Sequence, residues 1–408
     1  MLAVARAQPG QVNFLFSCHD IHRHAQKDGK RYAPLLDPIY EELNAISSCL
    51  TIAAPFSNLQ GKGCFGDVRN MNFWILVALL RNIISKSVGE NPLEDDKVVG
   101  AYKKILLRTK PRAVIGIQPS VQLCIAAQAL GIVSYDVQHG IISDVNYYNL
   151  QKREKYHQSG WPDYILCWDE VSANRVSDLC RGNSRPVVIG NPSYHSPYGR
   201  RAHGSYPKND ASHMAKLPCI LVTLTYLDYG FRDSFLEVSN DQAFVTIGIP
   251  DVLMSLIKTV TSVSWRIRMH PAQKKLGSSR VQSFLAREFS NLPHVDWTTP
   301  SNVDLKMALD GCAGHMTVDS AASIDAAQNG VPTILVGCPG WSDKAKVMDY
   351  FGDYISSGEM RFVENHELSA HVLKYFSIKK GSAQGTVNEQ SIRAFDAFIE
   401  SLKVDFLG

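Results

Sequence analysis

Residues 315–336, HMTVDSAASIDAAQNGVPTILV, decide the fold. His315 to Val318 is short and largely apolar, as a buried strand should be. The sequence predicts a helix from about Ser320 to Gln328, closed by Asn329-Gly330, and a second strand over Pro332 to Val336. Strand, helix and strand joined this tightly are the repeating unit of a parallel α/β sheet. At the first junction, free N–H groups and the positive helix end would suit a nucleotide's phosphate, with the hydroxyls of Ser320 and Ser323 as further donors. Asp325, one turn in, is a candidate acceptor for ribose hydroxyls. The plain alternative is a helix cap formed by Asp319 or Ser320.

The same alternation runs outward in both directions. In the first half, strands are expected at Val12 to Phe16, Ala113 to Ile117, Ile132 to Val137, Tyr164 to Trp168 and Pro186 to Ile189. Helices are expected from Asp37 to Leu43, with Asp37 as N-cap and Pro38 at the first position, and from Val121 to Leu130 and Ser172 to Leu179. Ser193 to Lys216 lacks periodicity and is rich in Gly, Pro, Ser, His and Arg, so it is the expected boundary. The second half restarts with the strand Cys219 to Thr223. Further strands are expected at Ser264 to Met269 and His294 to Trp297, and helices at Pro250 to Val260, Ser279 to Phe289 and Leu305 to Leu309. The division expected is therefore 1–192, a linker 193–216, 217–385, and a final helix 386–408 that packs back on the first domain. The fold class is α/β, two doubly wound Rossmann-like domains facing a cleft.

Bulk properties agree with a globular protein. The 408 residues are 45% hydrophobic and 20% charged, and the net charge is only +3. That charge gives no basic field for nucleic acid, and none is expected as a partner. The run Phe73 to Ile84 is too short to span a bilayer and contains Arg81 and Asn82, so it reads as a buried helix. Met1 to Gln8 has no long apolar stretch, so no secretory leader is expected. The nine cysteines are scattered with no CxxC pair, which points to reduced thiols in a cytoplasm.

Ligands of such sheets bind at the carboxyl ends of strands. Arg268-Met269-His270-Pro271 ends one of them, with Arg268 a fixed cation for phosphate, His270 a ligand for phosphate, ribose or base, and Pro271 turning the chain. Thr223 ends another and joins this set. In the first half, Gln138-His139-Gly140 follows a strand. His139 is a candidate acid, base or phosphate ligand, or a structural histidine, while Gln138 and Gly140 would face substrate. The loop Cys18 to Lys30 crowds His19, Asp20, His22, Arg23, His24 and Asp28 together. It offers Asp20 or His22 as a general base, with Arg23 and Asp28 facing substrate, or is simply a solvated polar loop. Zinc at His19, His22 and His24 has no cysteine partner to support it. No GxxxxGK[ST], HExxH, GxSxG or well-placed GxGxxG is present, so the chemistry is expected to need no metal.

Three runs, Asp136-Val137-Gln138-His139-Gly140, Pro162-Asp163-Tyr164 and Ile189-Gly190-Asn191-Pro192, resemble bacterial GT-B glycosyltransferases of capsule, O-antigen and lipopolysaccharide synthesis. His270-Pro271 and the stretch Ser320 to Pro332 resemble the donor domain of that fold. The resemblance implies transfer of a sugar from a CMP-, UDP- or GDP-linked donor to a glycan or glycolipid. The nucleotide sugar would be a substrate and no cofactor is implied. The place of work would be the cytoplasm, with room for peripheral contact with the inner membrane. Asp325 stands where many such enzymes carry Glu, and Ala321-Ala322 replaces a Gly-Gly turn. Two other readings stay open: a CDP-glycerol-type transferase or nucleotide-sugar epimerase on the same scaffold, and a non-catalytic nucleotide-binding scaffold.

Overall fold

The structure is a computed structural model that describes residues 11–23, 25–53, 63–66, 68–69, 77, 96–142, 160–195, 217–225, 247–276, 278–338, 344–368 and 386–407. His24, most of Phe73 to Ile84 and most of the expected boundary Ser193 to Lys216 lie outside these residues. The chain forms two compact units, one of Met1–Pro197 with Gln390–Gly408, the other of Tyr198–Glu389.

The first unit holds six parallel strands: β1 (Phe14–Cys18), β4 (Cys49–Ala53), β5 (Ala113–Gly116), β6 (Val133–Val137), β7 (Tyr164–Cys167) and β8 (Arg185–Val188). Their order is β4-β1-β5-β6-β7-β8, so the chain reverses its direction of travel between β1 and β5. A small antiparallel hairpin, β2 (Ala25–Lys27) and β3 (Lys30–Tyr32), follows β1. The five residues of β1 are all buried, as they must be in a sheet covered on both faces. Helices α1 (Asp37–Asn44), α2 (Asp96–Thr109), α3 (Val121–Gln128) and α4 (Glu170–Cys180) alternate with the strands. Local chemistry sets their ends. Ser120 caps α3 by accepting from the Leu123 N–H, and Asp169 caps α4 through Ser172. A last helix, Thr386–Leu407, lays Phe395, Phe398, Ile399 and Leu402 into the same core as Phe14, Phe16 and Leu166.

Several details of this unit differ from the sequence reading, among them helix α2 and the hairpin, which were not expected. β1 pairs from Phe14 to Cys18, because the Val12 N–H is spent on the Thr109 carbonyl outside the sheet. The strand's carboxyl end is Cys18, which pairs with Ala53. The edge strand β4 was not expected; its run Cys49-Leu50-Thr51-Ile52-Ala53 pairs with β1.

The second unit repeats the plan with β9 (Cys219–Thr223), β10 (Ser264–Arg268), β11 (Val295–Asp296), β12 (Cys312–Thr317), β13 (Thr333–Val336) and β14 (Met360–Val363). The order is β11-β10-β9-β12-β13-β14, all parallel. Here the reversal falls between β9 and β12. Between the strands lie α5 (Asp251–Thr259), α6 (Pro271–Leu276), α7 (Ser278–Phe289), α8 (Leu305–Leu309), α9 (Ala322–Gln328) and α10 (Lys344–Ser356). The core gathers around Trp265, which is fully buried among Leu253, Leu285 and Phe289 and gives its indole N–H to the Val260 carbonyl.

Candidate functional site

An open parallel sheet leaves a crevice where its strand order reverses, at the carboxyl ends of the two strands that diverge there. In the first unit these are β1 and β5. After β1 the chain makes a 3-10 turn, Asp20–His22, and after β6 it emerges at His139. The rings of His22 and His139 meet edge to face with centroids 5.3 Å apart. Since β5 lies between β1 and β6, this pair bridges the end of β5, over the switch point. Burial lowers the His139 pKa to about 4, so its imidazole is neutral at pH 7, the form that can take a proton. Asp20 is buried and its Oδ1 lies 2.9 Å from His19 Nδ1. Asp136, which has no exposed surface, accepts the Gln118 N–H at 2.9 Å and holds that residue at φ 49° beside the same strand ends. A non-glycine residue held at positive φ marks backbone fixed by its surroundings. Asp136 opens the Gln-His-Gly run noted in sequence, but Gln118 was not singled out, because its contact with β6 is made from the separate loop after β5.

Other residues expected to face substrate are otherwise engaged. Gln138 is fully buried, donating to the Gly140 carbonyl and Ser172 Oγ and accepting the Trp168 N–H. It is a clamp that sets the turn carrying His139. Gly140 has an ordinary φ and open space where a Cβ would stand, so nothing among the described residues demands glycine there. Arg23 is 1% exposed and ion-paired to Asp37 at 3.1 Å. Asp37 is therefore not the N-cap expected; its carboxylate takes Arg23 and the Ala33 N–H, and burial still pushes its pKa up to about 6. Asp28 is exposed at φ 51°, followed by Gly29 at φ 73°. Asp-Gly with both φ positive is the two-residue turn of a twisted hairpin, and that is its role between β2 and β3.

The switch point of the second unit lies at the ends of β9 and β12. Two residues past β9, Thr225 is 4% exposed and its hydroxyl has no hydrogen-bond partner among the described residues. Its backbone is tightly held. The Thr225 carbonyl accepts from Gln273 Nε2, which also donates to Ile247. Gly248 passes so close, at φ 80°, that a Cβ there would lie 1.9 Å from the Thr225 oxygen. Gln273 also accepts the His270 N–H at the start of α6 while Lys274 N–H bonds the His270 carbonyl. His270 thus stands at the N-cap position, with Pro271 at the first helical position, and the Gln273 side chain reaches back to the His270 N–H as in one half of a capping box. Arg268 ends β10, and its Nη1 donates to the carbonyls of Pro300 and Val303. That nitrogen is committed to the 300–303 loop, where Lys274 also donates to Ser301.

On the β12 side the expected phosphate turn is partly spent internally. Helix α9 begins at Ala322, later than expected, and spans only seven residues. Ser320 Oγ accepts the Ala322 N–H, and Ser323, fully buried, donates its hydroxyl to the Ser320 carbonyl. Ser323 therefore has no hydroxyl to offer a ligand, whereas Asp319, Ser320 and Asp325 remain half-buried. Thr223, also placed with the ligands by sequence, is buried against His315 Nε2 at 2.9 Å. His315 has no exposed surface, and its Nδ1 lies 3.2 Å from Thr333 Oγ1. Thr333 gives its proton to the Val331 carbonyl, so Nδ1 carries the imidazole hydrogen and Nε2 accepts from Thr223. Burial lowers the His315 pKa to about 3. This triad stitches β9, β12 and β13 together within the sheet.

The remaining two distinctive runs of the first unit are also structural. Asp163 accepts both the N–H and the hydroxyl of Ser134, and Tyr164 stacks on Tyr135 with centroids 5.1 Å apart. Gly190, at φ 72°, allows the last helix to approach: a Cβ would sit 2.2 Å from the Ser391 carbonyl. Asn191 N–H then donates to Ser391 Oγ, and His195 stacks on Phe395.

Among the described residues no three of His, Cys, Asp and Glu are grouped to hold a metal ion. Among them, too, no helix is long and apolar enough to cross a membrane. No family matches the sequence, and no curated protein shows significant sequence similarity to it. Solved structures match the fold over nearly the whole chain. A putative UDP-N-acetylglucosamine 2-epimerase from Listeria monocytogenes superposes with TM-score 0.59 at 12% identity, covering 96% of each chain. The UDP-GlcNAc 2-epimerase of Methanocaldococcus jannaschii, in complex with UDP-GlcNAc and UDP, gives 0.54 at 15% identity, with 96% of this chain and 99% of that one. That of Neisseria meningitidis, bound to UDP-GlcNAc, gives 0.52 at 11%, with the same coverage. At such identities the fold is what is shared: the two Rossmann-like units of GT-B enzymes.

Proposed function

We propose that the chain is a nucleotide-sugar enzyme that transfers the sugar to a hydroxyl acceptor. The observation that carries the reading is the His22–His139 pair bridging the switch point of the first sheet. In transfer, the acceptor oxygen forms a bond to the anomeric carbon as the bond to the nucleotide phosphate breaks, and the acceptor's proton must go to a base. His139 is the base proposed to take that proton, with the His22 ring set against it edge to face. Asp20 and His19 support the turn that carries His22. The second unit holds the nucleotide, with Thr225 and Ser320 as hydroxyl ligands at the ends of β9 and β12, Arg268, His270 and Pro271 at the end of β10, and Asp325 toward ribose. Sequence shows no strand-end carboxylate pair, and the reaction proposed needs no metal or cofactor. The resemblance of the Gln-His-Gly and Gly-Asn-Pro runs supports a glycan or glycolipid of bacterial surface polysaccharide as acceptor. Such an acceptor would bring the protein to the cytoplasmic side of the inner membrane.

A second reading, 2-epimerisation, is supported by the fold neighbours bound to UDP-GlcNAc and UDP. The two differ in which bond to hydrogen breaks. Epimerisation exchanges the hydrogen on C2 with solvent, and transfer does not. UDP-GlcNAc and CMP- and GDP-sugars are incubated with the protein in D2O and followed by NMR, with and without glycan acceptor. Nucleotide release only with acceptor, and no deuterium at C2, is expected. Deuterium at C2 without acceptor overturns transfer in favour of epimerisation, and nucleotide binding with neither reaction leaves a scaffold.

A further inference from the structure

At the amino ends of β9 and β12, away from the strand ends described above, two thiols face each other. Cys219 and Cys312 are Cα partners on these adjacent strands, with Sγ atoms 3.6 Å apart. Neighbouring strands lie about 4.7–4.9 Å apart, within the roughly 4.4–6.8 Å of Cα separation that a disulfide spans. The ladder shifts register between Cys312 and Gly314, which leaves local room for adjustment. Arg266 Nη1 lies 3.5 Å from Cys312 Sγ and is fixed there by the carbonyls of Ala308 and Asp310. The Cys312 sulfur is also 3.3 Å from the Ala308 carbonyl, an alternative acceptor to Cys219 for its one proton. The hydrogen bond from Cys312, with Arg266 nearby, lowers the Cys219 pKa, whereas Cys312 is raised. Burial pushes Cys49 up to about 12, and burial foremost does the same to Cys18. Cys312 is half-buried and Cys219 buried.

We propose that Cys219 and Cys312 are a reversible redox pair that closes to a cross-strand disulfide on exposure to hydrogen peroxide. The Cys219 thiolate attacks one peroxide oxygen, the O–O bond breaks, and hydroxide leaves and takes up a proton as water. The Cys312 sulfur then attacks the sulfur of the Cys219 sulfenic acid, forming the S–S bond. The displaced hydroxide takes the Cys312 proton as a second water. Two electrons pass from the sulfurs to the peroxide, and a dithiol reverses the change by exchange. The closed pair joins residues 93 apart in sequence and fastens the two central strands of the second sheet.

The test treats the full chain with hydrogen peroxide, blocks remaining thiols by alkylation and maps the peptides. Expected is a Cys219–Cys312 linked peptide lighter by two hydrogens. Tm should rise by about 5–15 °C, as expected for closing a long loop, and revert with dithiothreitol. In Cys312→Ser, Cys219 should accumulate as a sulfenic acid trapped by dimedone. The map of the unaltered protein needs no variant to fold. If both thiols stay alkylatable while other cysteines oxidise, or if either pairs elsewhere, the proposal is overturned.

Discussion

Replacing Thr225 by valine removes one hydroxyl and keeps the side chain's shape. In the free protein that hydroxyl is buried and makes no hydrogen bond to the described residues, so it carries a desolvation cost of about 1–3 kcal/mol with no return. Thr225→Val should therefore stabilise the free second unit by about 1 kcal/mol or more. For a unit of this size that is a Tm rise of about 2–4 °C per kcal/mol. The backbone contacts of Thr225 to Gln273 and Gly248 do not involve the hydroxyl, so they survive. If the hydroxyl meets the nucleotide's charged phosphate, its loss should cost about 1.5–3 kcal/mol of binding, roughly 10- to 150-fold in Kd. Differential scanning calorimetry of the free variant and titration calorimetry with UDP and CMP read the two effects separately. Stability and affinity should move in opposite directions. A variant that melts no later than the parent and binds as tightly would refute the assignment of this crevice.

Gly190→Ala places a Cβ against the Ser391 carbonyl at a positive φ. The φ alone costs about 1–2 kcal/mol, and the last helix must also shift, so a loss of about 3 kcal/mol or more is expected in urea unfolding. Normal stability with an unchanged near-UV spectrum would show that the helix does not seat there. His139→Ala should lower kcat by about 10²–10⁴-fold with nucleotide affinity nearly unchanged, and normal turnover per folded molecule would remove His139 from catalysis. Because the folded pKa values of His139 and His315 lie below the ordinary 6.5, the unfolded chain binds more protons as pH falls below 6.5. Their stabilisation is complete above that pH and is lost on acidification toward about 4 and 3. Between pH 7 and 5 each should cost about 2 kcal/mol, and their ring 15N shifts should remain those of neutral imidazole at pH 5. A charged ring at pH 5 in the folded protein contradicts this.

The fold was legible because its strands are continuous apolar runs punctuated by Gly and Pro. Gly131 and Gly330 end their helices at φ 66° and 69°, as the sequence indicated. Cys49–Ala53 was missed because nothing marks its start: Ser47 and Ser48 precede it, and its pairing with β1 is non-local. The site was less legible for a related reason. Gln138, Asp163 and Gly190 form distinctive runs, yet each is distinctive for packing. Gln138 clamps a turn, Asp163 ties β6 to β7, and Gly190 admits a helix two hundred residues away. Thr225 and Gln118 stand out only through what surrounds them in space, and no local pattern announces either. His22 and His139 were both named as candidates, but their meeting across β5 follows only from the strand order.

The last helix has a consequence for biosynthesis. Asn191 is fastened to Ser391, 200 residues later, so the second unit is an insertion within the first along the chain. At a synthesis rate of about 5–20 residues per second, the partner of Asn191 follows it from the ribosome by roughly 10–40 seconds. During that time Phe16, Tyr135 and Leu166 lack the cover of Phe395 and Phe398. The inserted unit has all its strands within one uninterrupted stretch and can close first. The amino-terminal unit, although made earlier, must finish last, and that interval is when a nascent chain of this protein would need a chaperone.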